Sequence, residues 1–115
     1  MDNVTLYPEL IDYIYWYCDN FQTVSERLAI KTFRHDRPGI SESAREMYKS
    51  HGWISDETDV KKFIEGGFES FKEQVVMRIY NQHQNELNLN LCPKCFKIAR
   101  TPLAKQCRFC HHDWH

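Results

Sequence analysis

Apolar residues recur at three- and four-residue intervals through most of the first ninety positions, a spacing that predicts amphipathic helices. Leu10, Ile11, Ile14, Cys18 and Phe21 form the first stripe, with Pro8 placed for an opening helical turn. Tyr13, Tyr15, Trp16 and Tyr17 widen that face into an aromatic band, and Cys18 reads as a core residue rather than a reactive thiol. Thr23-Val24-Ser25-Glu26 has the form of a capping box, opening a second helix through Val24, Leu28, Ile30 and Phe33. Pro38-Gly39 breaks the chain. Ser41 or Ser43 then caps a third helix carrying Ala44, Met47 and Tyr48, with Gly52 beyond its end. Ser55 or Asp56 starts a fourth through Val60, Phe63 and Ile64, closed or kinked at Gly66-Gly67. A fifth, the longest, is expected from Phe68 to about Leu87, and Asn88-Leu89-Asn90 joins it to the tail. No internal repeat is visible.

The pattern changes at Leu91. Four of the five cysteines fall in the last quarter, as Cys92-Pro93-Lys94-Cys95 and Cys107-Arg108-Phe109-Cys110. An odd total argues against a complete disulfide framework, and the start Met1-Asp2-Asn3 shows no basic region ahead of an apolar run, so no export signal is expected. Two Cys-x-x-Cys pairs then read as a metal site. A two-residue spacing lets one tight turn aim two thiolates at a point, and two such turns supply the four sulfurs that tetrahedral Zn²⁺ takes in closed structural sites. Iron also suits four thiolates. The eleven residues between the pairs suffice for two short strands, Phe96, Ile98 and Ala99 outgoing and Leu103 to Gln106 returning, with the turn at Thr101-Pro102. His111, His112 and His115 are expected to be solvated rather than ligands, since both pairs are complete.

Residues 91–115 resemble the zinc-ribbon, or rubredoxin-like two-knuckle, superfamily. The carriers are Cys92, Pro93, Cys95, Cys107 and Cys110, the first pair matching the family's Cys-Pro-x-Cys knuckle. The resemblance implies a β-hairpin metal site, usually structural, used in contacts with nucleic acid or protein. Ribbons commonly place Gly after each pair; Phe96 and His111 stand there in this chain. The whole layout resembles small bacterial proteins that are helical with a ribbon at the C-terminus. The expected architecture is therefore mainly α, a helical domain over 1–88 followed by a Cys₄ ribbon over 91–115.

Charge is divided unevenly between these parts. Residues 1–90 carry ten Lys/Arg against fifteen Asp/Glu, a balance of −5, whereas 91–115 carry five against one, or +4. Four thiolates and Zn²⁺ together contribute −2, leaving about +2 on the tail. Lys97, Arg100, Lys105 and Arg108 are the candidate partner-binding cations, and neutralisation of the metal–thiolate charge is their alternative role. Phe96, Phe109 and Trp114 could stack on bases or cover a thin core.

Other chemistry is sparse. His83 and Glu86 share a helical face without a second such pair opposite, and His35, Asp36 and His51 stand apart. No phosphate loop, nucleophile elbow or paired catalytic acid is present, so no catalytic residue is assigned and the chain is not expected to be an enzyme. A helix-turn-helix from the second and third helices is disfavoured by the long Pro38-Gly39 connection. No stretch approaches the ~18 apolar residues of a membrane span. The expectation is a cytoplasmic zinc protein acting as a protein-interaction or adaptor module. The alternatives are a nucleic-acid-binding regulator using the basic ribbon, and a redox or metal sensor.

Overall fold

The computed structural model describes residues 6–115. Among them are five α-helices: α1 (Pro8–Tyr17), α2 (Val24–His35), α3 (Glu42–Ser50), α4 (Thr58–Glu65) and α5 (Phe68–His83), with a 3₁₀ turn at Asp19–Phe21. The fold is mainly α, and no helix is long and apolar enough to cross a membrane. The chain forms two compact units. One is Gln22–Val75; the other joins the chain up to Phe21 with Val76–His115, so residues 91–115 group with α1 and the second half of α5.

The helix boundaries follow local chemistry. Thr23 and Glu26 complete the expected capping box: the Thr23 hydroxyl accepts the Glu26 N–H at 3.1 Å, and the Glu26 carboxylate accepts the Thr23 N–H at 2.8 Å. Ser41 caps α3 by accepting the Ala44 N–H. The start of α4 differs from expectation. Its N-cap is Glu57, without a side-chain bond, because Ser55 spends its hydroxyl one turn earlier on the Glu57 N–H. Between α4 and α5, Gly67 takes a φ of +84°, a conformation that costs a side-chain-bearing residue. Helix α5 stops at His83, four residues short of the expected end, where the His83 carbonyl accepts the N–H groups of Glu86 and Leu87.

In the unit Gln22–Val75, α2 packs chiefly on α4. Phe71 of α5 is fully buried there, with the Phe33 ring at 5.3 Å and the Phe63 ring at 5.2 Å, beside buried Ala29, Ile54, Val60 and Val75. Val24 was expected in the apolar stripe, yet it is exposed, since the N-terminal turn of α2 is given over to the cap. Thr32 is buried as well; its hydroxyl donates to the Leu28 carbonyl at 2.8 Å and accepts the Ser55 N–H at 3.0 Å.

In the other unit, Leu10, Ile14 and Cys18 of the expected α1 stripe are buried, whereas Ile11 and Phe21 are half-buried; Tyr13 and Tyr15 of the aromatic band are buried too, while Trp16 and Tyr17 face solvent. Val76, Ile79, Ile98 and Ala99 are fully buried in the same unit. Burial pushes the Cys18 thiol up, with a contribution from Asp19, as befits an inert core cysteine.

Candidate metal centre

Each Cys-x-x-Cys pair sits in its own small loop, and the two loops share one hydrogen-bond plan. In the first, the Cys92 N–H donates to the Lys97 carbonyl at 2.8 Å and the Phe96 N–H to the Cys92 carbonyl at 2.8 Å. In the second, the Cys107 N–H donates to the His112 carbonyl at 2.8 Å and the His111 N–H to the Cys107 carbonyl at 3.1 Å. The correspondence extends outward. The Ala99 N–H donates to the Asn90 carbonyl at 2.8 Å, and the Trp114 N–H to the Lys105 carbonyl at 2.9 Å. Single antiparallel bridges, Leu91 with Ile98 and Gln106 with Asp113, close the two loops. Residues 90–99 and 105–114 thus form a structural repeat offset by fifteen positions, although only the cysteines are identical between the two stretches.

This repeat replaces the expected hairpin. Among the described residues there is no β-strand; the backbone groups of 96–99 and 103–106 bond within their own loops instead of with each other. The expected turn is present, with the Ala104 N–H donating to the Thr101 carbonyl across Pro102 and Leu103. Asn90 fastens that turn, its side-chain amide donating to the carbonyls of Thr101 at 2.9 Å and Ala104 at 2.8 Å.

The sulfurs of Cys92, Cys95, Cys107 and Cys110 all lie within 4.8 Å of one another, so the four residues read as ligands from sequence meet at one point that can hold a metal ion. The shortest separations run between the loops: Cys92 to Cys110 at 3.6 Å and Cys95 to Cys107 at 3.5 Å. These exceed the ~2.0 Å of a disulfide and approach the ~3.8 Å edge of a tetrahedron with 2.3 Å metal–sulfur bonds. The cysteines are accordingly free thiols. The first of each pair is buried and the second half-buried.

Each buried sulfur is met by two backbone donors. The N–H groups of Lys94 and Cys95 donate to Cys92 Sγ at 3.3 and 3.4 Å, and those of Phe109 and Cys110 to Cys107 Sγ at the same two distances. Burial opposes ionisation at both sites, yet these donors together with bonds from the adjoining sulfurs outweigh it: the Cys92 thiol is lowered and that of Cys107 falls to about 6. At Cys95 a backbone bond from Lys97 favours the thiolate, but burial and the adjoining sulfurs prevail and raise the thiol to about 11. Like charges this close cannot all ionise alone, and a bound cation removes that conflict.

Phe96 and His111, standing where ribbons commonly carry Gly, both adopt φ of +63°. The left-handed turn that follows each pair therefore forms without glycine, and both side chains are exposed.

The four candidate cations do not stay together. Arg100, Lys105 and Arg108 line one cleft, whereas the Lys97 ammonium lies 4.8 Å over the Phe109 ring. Of the tail aromatics, Phe96 is 72% exposed, Phe109 meets the Tyr7 ring edge-on at 6.1 Å, and Trp114 stacks on His112. Tyr7 went unread in the sequence, yet its hydroxyl accepts the Ile98 N–H at 2.8 Å. Elsewhere, His35 and His51 stack on Trp53, Asp36 pairs with Arg45, and His83 Nδ1 lies 3.2 Å from Glu86.

No protein-family model matches the chain, and no curated protein or solved structure matches it significantly.

Proposed function

We propose that this chain is a zinc protein whose metal is structural: Zn²⁺ held by Cys92, Cys95, Cys107 and Cys110 fixes a zinc-ribbon-like tail that serves as a non-enzymatic protein-interaction module. The meeting of four sulfurs within 4.8 Å carries the metal reading. The closed four-thiolate set leaves no open position for a reacting water, which favours a structural over a catalytic metal, and Zn²⁺ is the ion that such structural Cys₄ sites commonly hold. A tail of twenty-five residues has too little apolar surface to fold alone, and the binding free energy of structural zinc, about 10–16 kcal/mol in small metal-folded domains, replaces the missing core.

The tail leaves two large apolar side chains in solvent, Leu103 at 88% and Phe96 at 72% exposure, which a partner protein could cover. Elemental analysis of natively purified protein tests the first part: one zinc per chain is expected, and stoichiometric iron or no metal overturns it. A partner captured by the intact chain and lost in a Cys92→Ser/Cys107→Ser variant would assign recognition to the tail. A nucleic-acid role draws on the cleft shared by Arg100, Lys105 and Arg108, and predicts affinity that falls steeply with added salt.

A further inference from the structure

The cleft at the second loop has a feature the metal does not explain. It encloses about 340 Å³, at the small end of volumes that hold small ligands, and is lined by Arg100, Lys105, Gln106, Arg108, His111 and His115. No Asp or Glu side chain lines it, and Cys107 of the metal centre borders it. Asp113, the one acidic residue of 91–115, is engaged by the His115 backbone N–H and by its imidazole. Among the described residues no ion pair neutralises Arg100, Lys105 or Arg108. Moreover, Arg108 Nε is buried and has no hydrogen-bond acceptor among the described residues. An N–H without an acceptor is disfavoured, and an anion drawn to Arg108, which lines the cleft, would supply one.

We propose that this cleft is a binding site for the phosphate group of a small phosphate monoester, with Arg108 as its anchor and Arg100 and Lys105 as supporting cations. A guanidinium presents parallel donors that match two oxygens of one phosphate, and two further cations balance a dianion. A small ligand fits better than a polynucleotide backbone. Strand binding needs cations strung along a groove, whereas here three converge on one cleft and Lys97 is turned away onto Phe109. The proposal goes beyond the structural-metal reading but uses the same folded tail, so metal content is measured on every sample.

The test is a titration of the natively purified full chain with inorganic phosphate and with a nucleoside 5′-monophosphate at constant ionic strength, followed by NMR at the Arg108 Nε–H. Saturable one-to-one binding of both is expected, with a shift centred on that resonance. Arg108→Lys keeps the charge but removes Nε and should weaken binding about tenfold or more. Arg100→Gln and Lys105→Gln should each weaken it several-fold, and Lys97→Gln should leave it unchanged. If Arg108→Lys loses metal, the Lys105→Gln result decides. Absence of saturation, equal loss with Lys97→Gln, or tighter binding to a single-stranded oligonucleotide than to the monophosphate overturns the proposal. Metal-free protein that still binds phosphate would overturn the zinc reading alone.

Discussion

The phenolic hydroxyl of Tyr7 accepts the backbone N–H of Ile98 at 2.8 Å, joining residues ninety-one positions apart. Tyr7 is the N-cap of α1, and its carbonyl accepts the N–H groups of Leu10 and Ile11 at 3.0 Å, but its side chain makes no cap bond. That side chain serves the cysteine-bearing tail instead. Because Ile98 is fully buried, the bond satisfies a donor that has no water to turn to. Burial raises the Tyr7 pKa while the Ile98 bond pulls it down, and the balance stays upward, keeping the phenol neutral.

Tyr7→Phe should therefore destabilise the protein by about 1–3 kcal/mol, the cost of a buried donor left unpaired. Denaturant unfolding measures the loss, and amide exchange at Ile98 should quicken while metal stoichiometry stays at the wild-type value. Unchanged exchange at Ile98 would show that the bond carries none of this.

Glycine at the two left-handed positions should stabilise the tail. Phe96 and His111 pay for φ of +63°, about 1–2 kcal/mol each for a residue bearing a side chain. Glycine relieves this but adds about 0.4–1 kcal/mol of unfolded-state entropy. Phe96→Gly and His111→Gly should each gain about 0.5–1 kcal/mol in denaturant unfolding of the metal-loaded protein, whereas Phe96→Ala, which keeps the strain, should gain nothing.

Removing the metal should disorder only part of the chain. With a strong chelator, or with Cys107→Ala, NMR resonances of residues 91–115 should collapse toward random-coil positions. The contacts of Phe71 with Phe33 and Phe63, far from any cysteine in sequence, should persist. Tail resonances unmoved by complete metal loss would refute the structural role.

Thr32→Val removes a hydroxyl of nearly the same shape and leaves the Ser55 N–H without its acceptor. A loss of about 1 kcal/mol or more is expected, with faster exchange at the Ser55 amide as its local signature.

Helices and the cysteine cluster were legible because their signals are local. The capping box at Thr23–Glu26 is written in adjacent residues, and the paired cysteines announce a shared centre by spacing alone. The end of α5 was overshot because 84–87 carry no breaker residue, and only the turn onto the His83 carbonyl marks the stop. The hairpin was expected because 96–99 and 103–106 can be written as strands; tertiary geometry instead uses their hydrogen bonds inside the loops. The fifteen-residue repeat stayed hidden because it lives in the backbone, with Ile98 occupying the position of Asp113 and Ala99 that of Trp114. Tyr7 was invisible for a different reason: no local pattern marks a side chain whose partner lies ninety-one residues away.

The two matched loops carry a consequence for how the tail comes and goes. Either loop by itself offers a cation two donors, half of what closes the shell, and neither has a partner of its own kind to lean on. A chain cut between Arg100 and Lys105 would forfeit the remaining knuckle along with the lost one. If a cation holds the two loops together as proposed, a protease or a truncating mutation that removes either loop should cost the other its metal site.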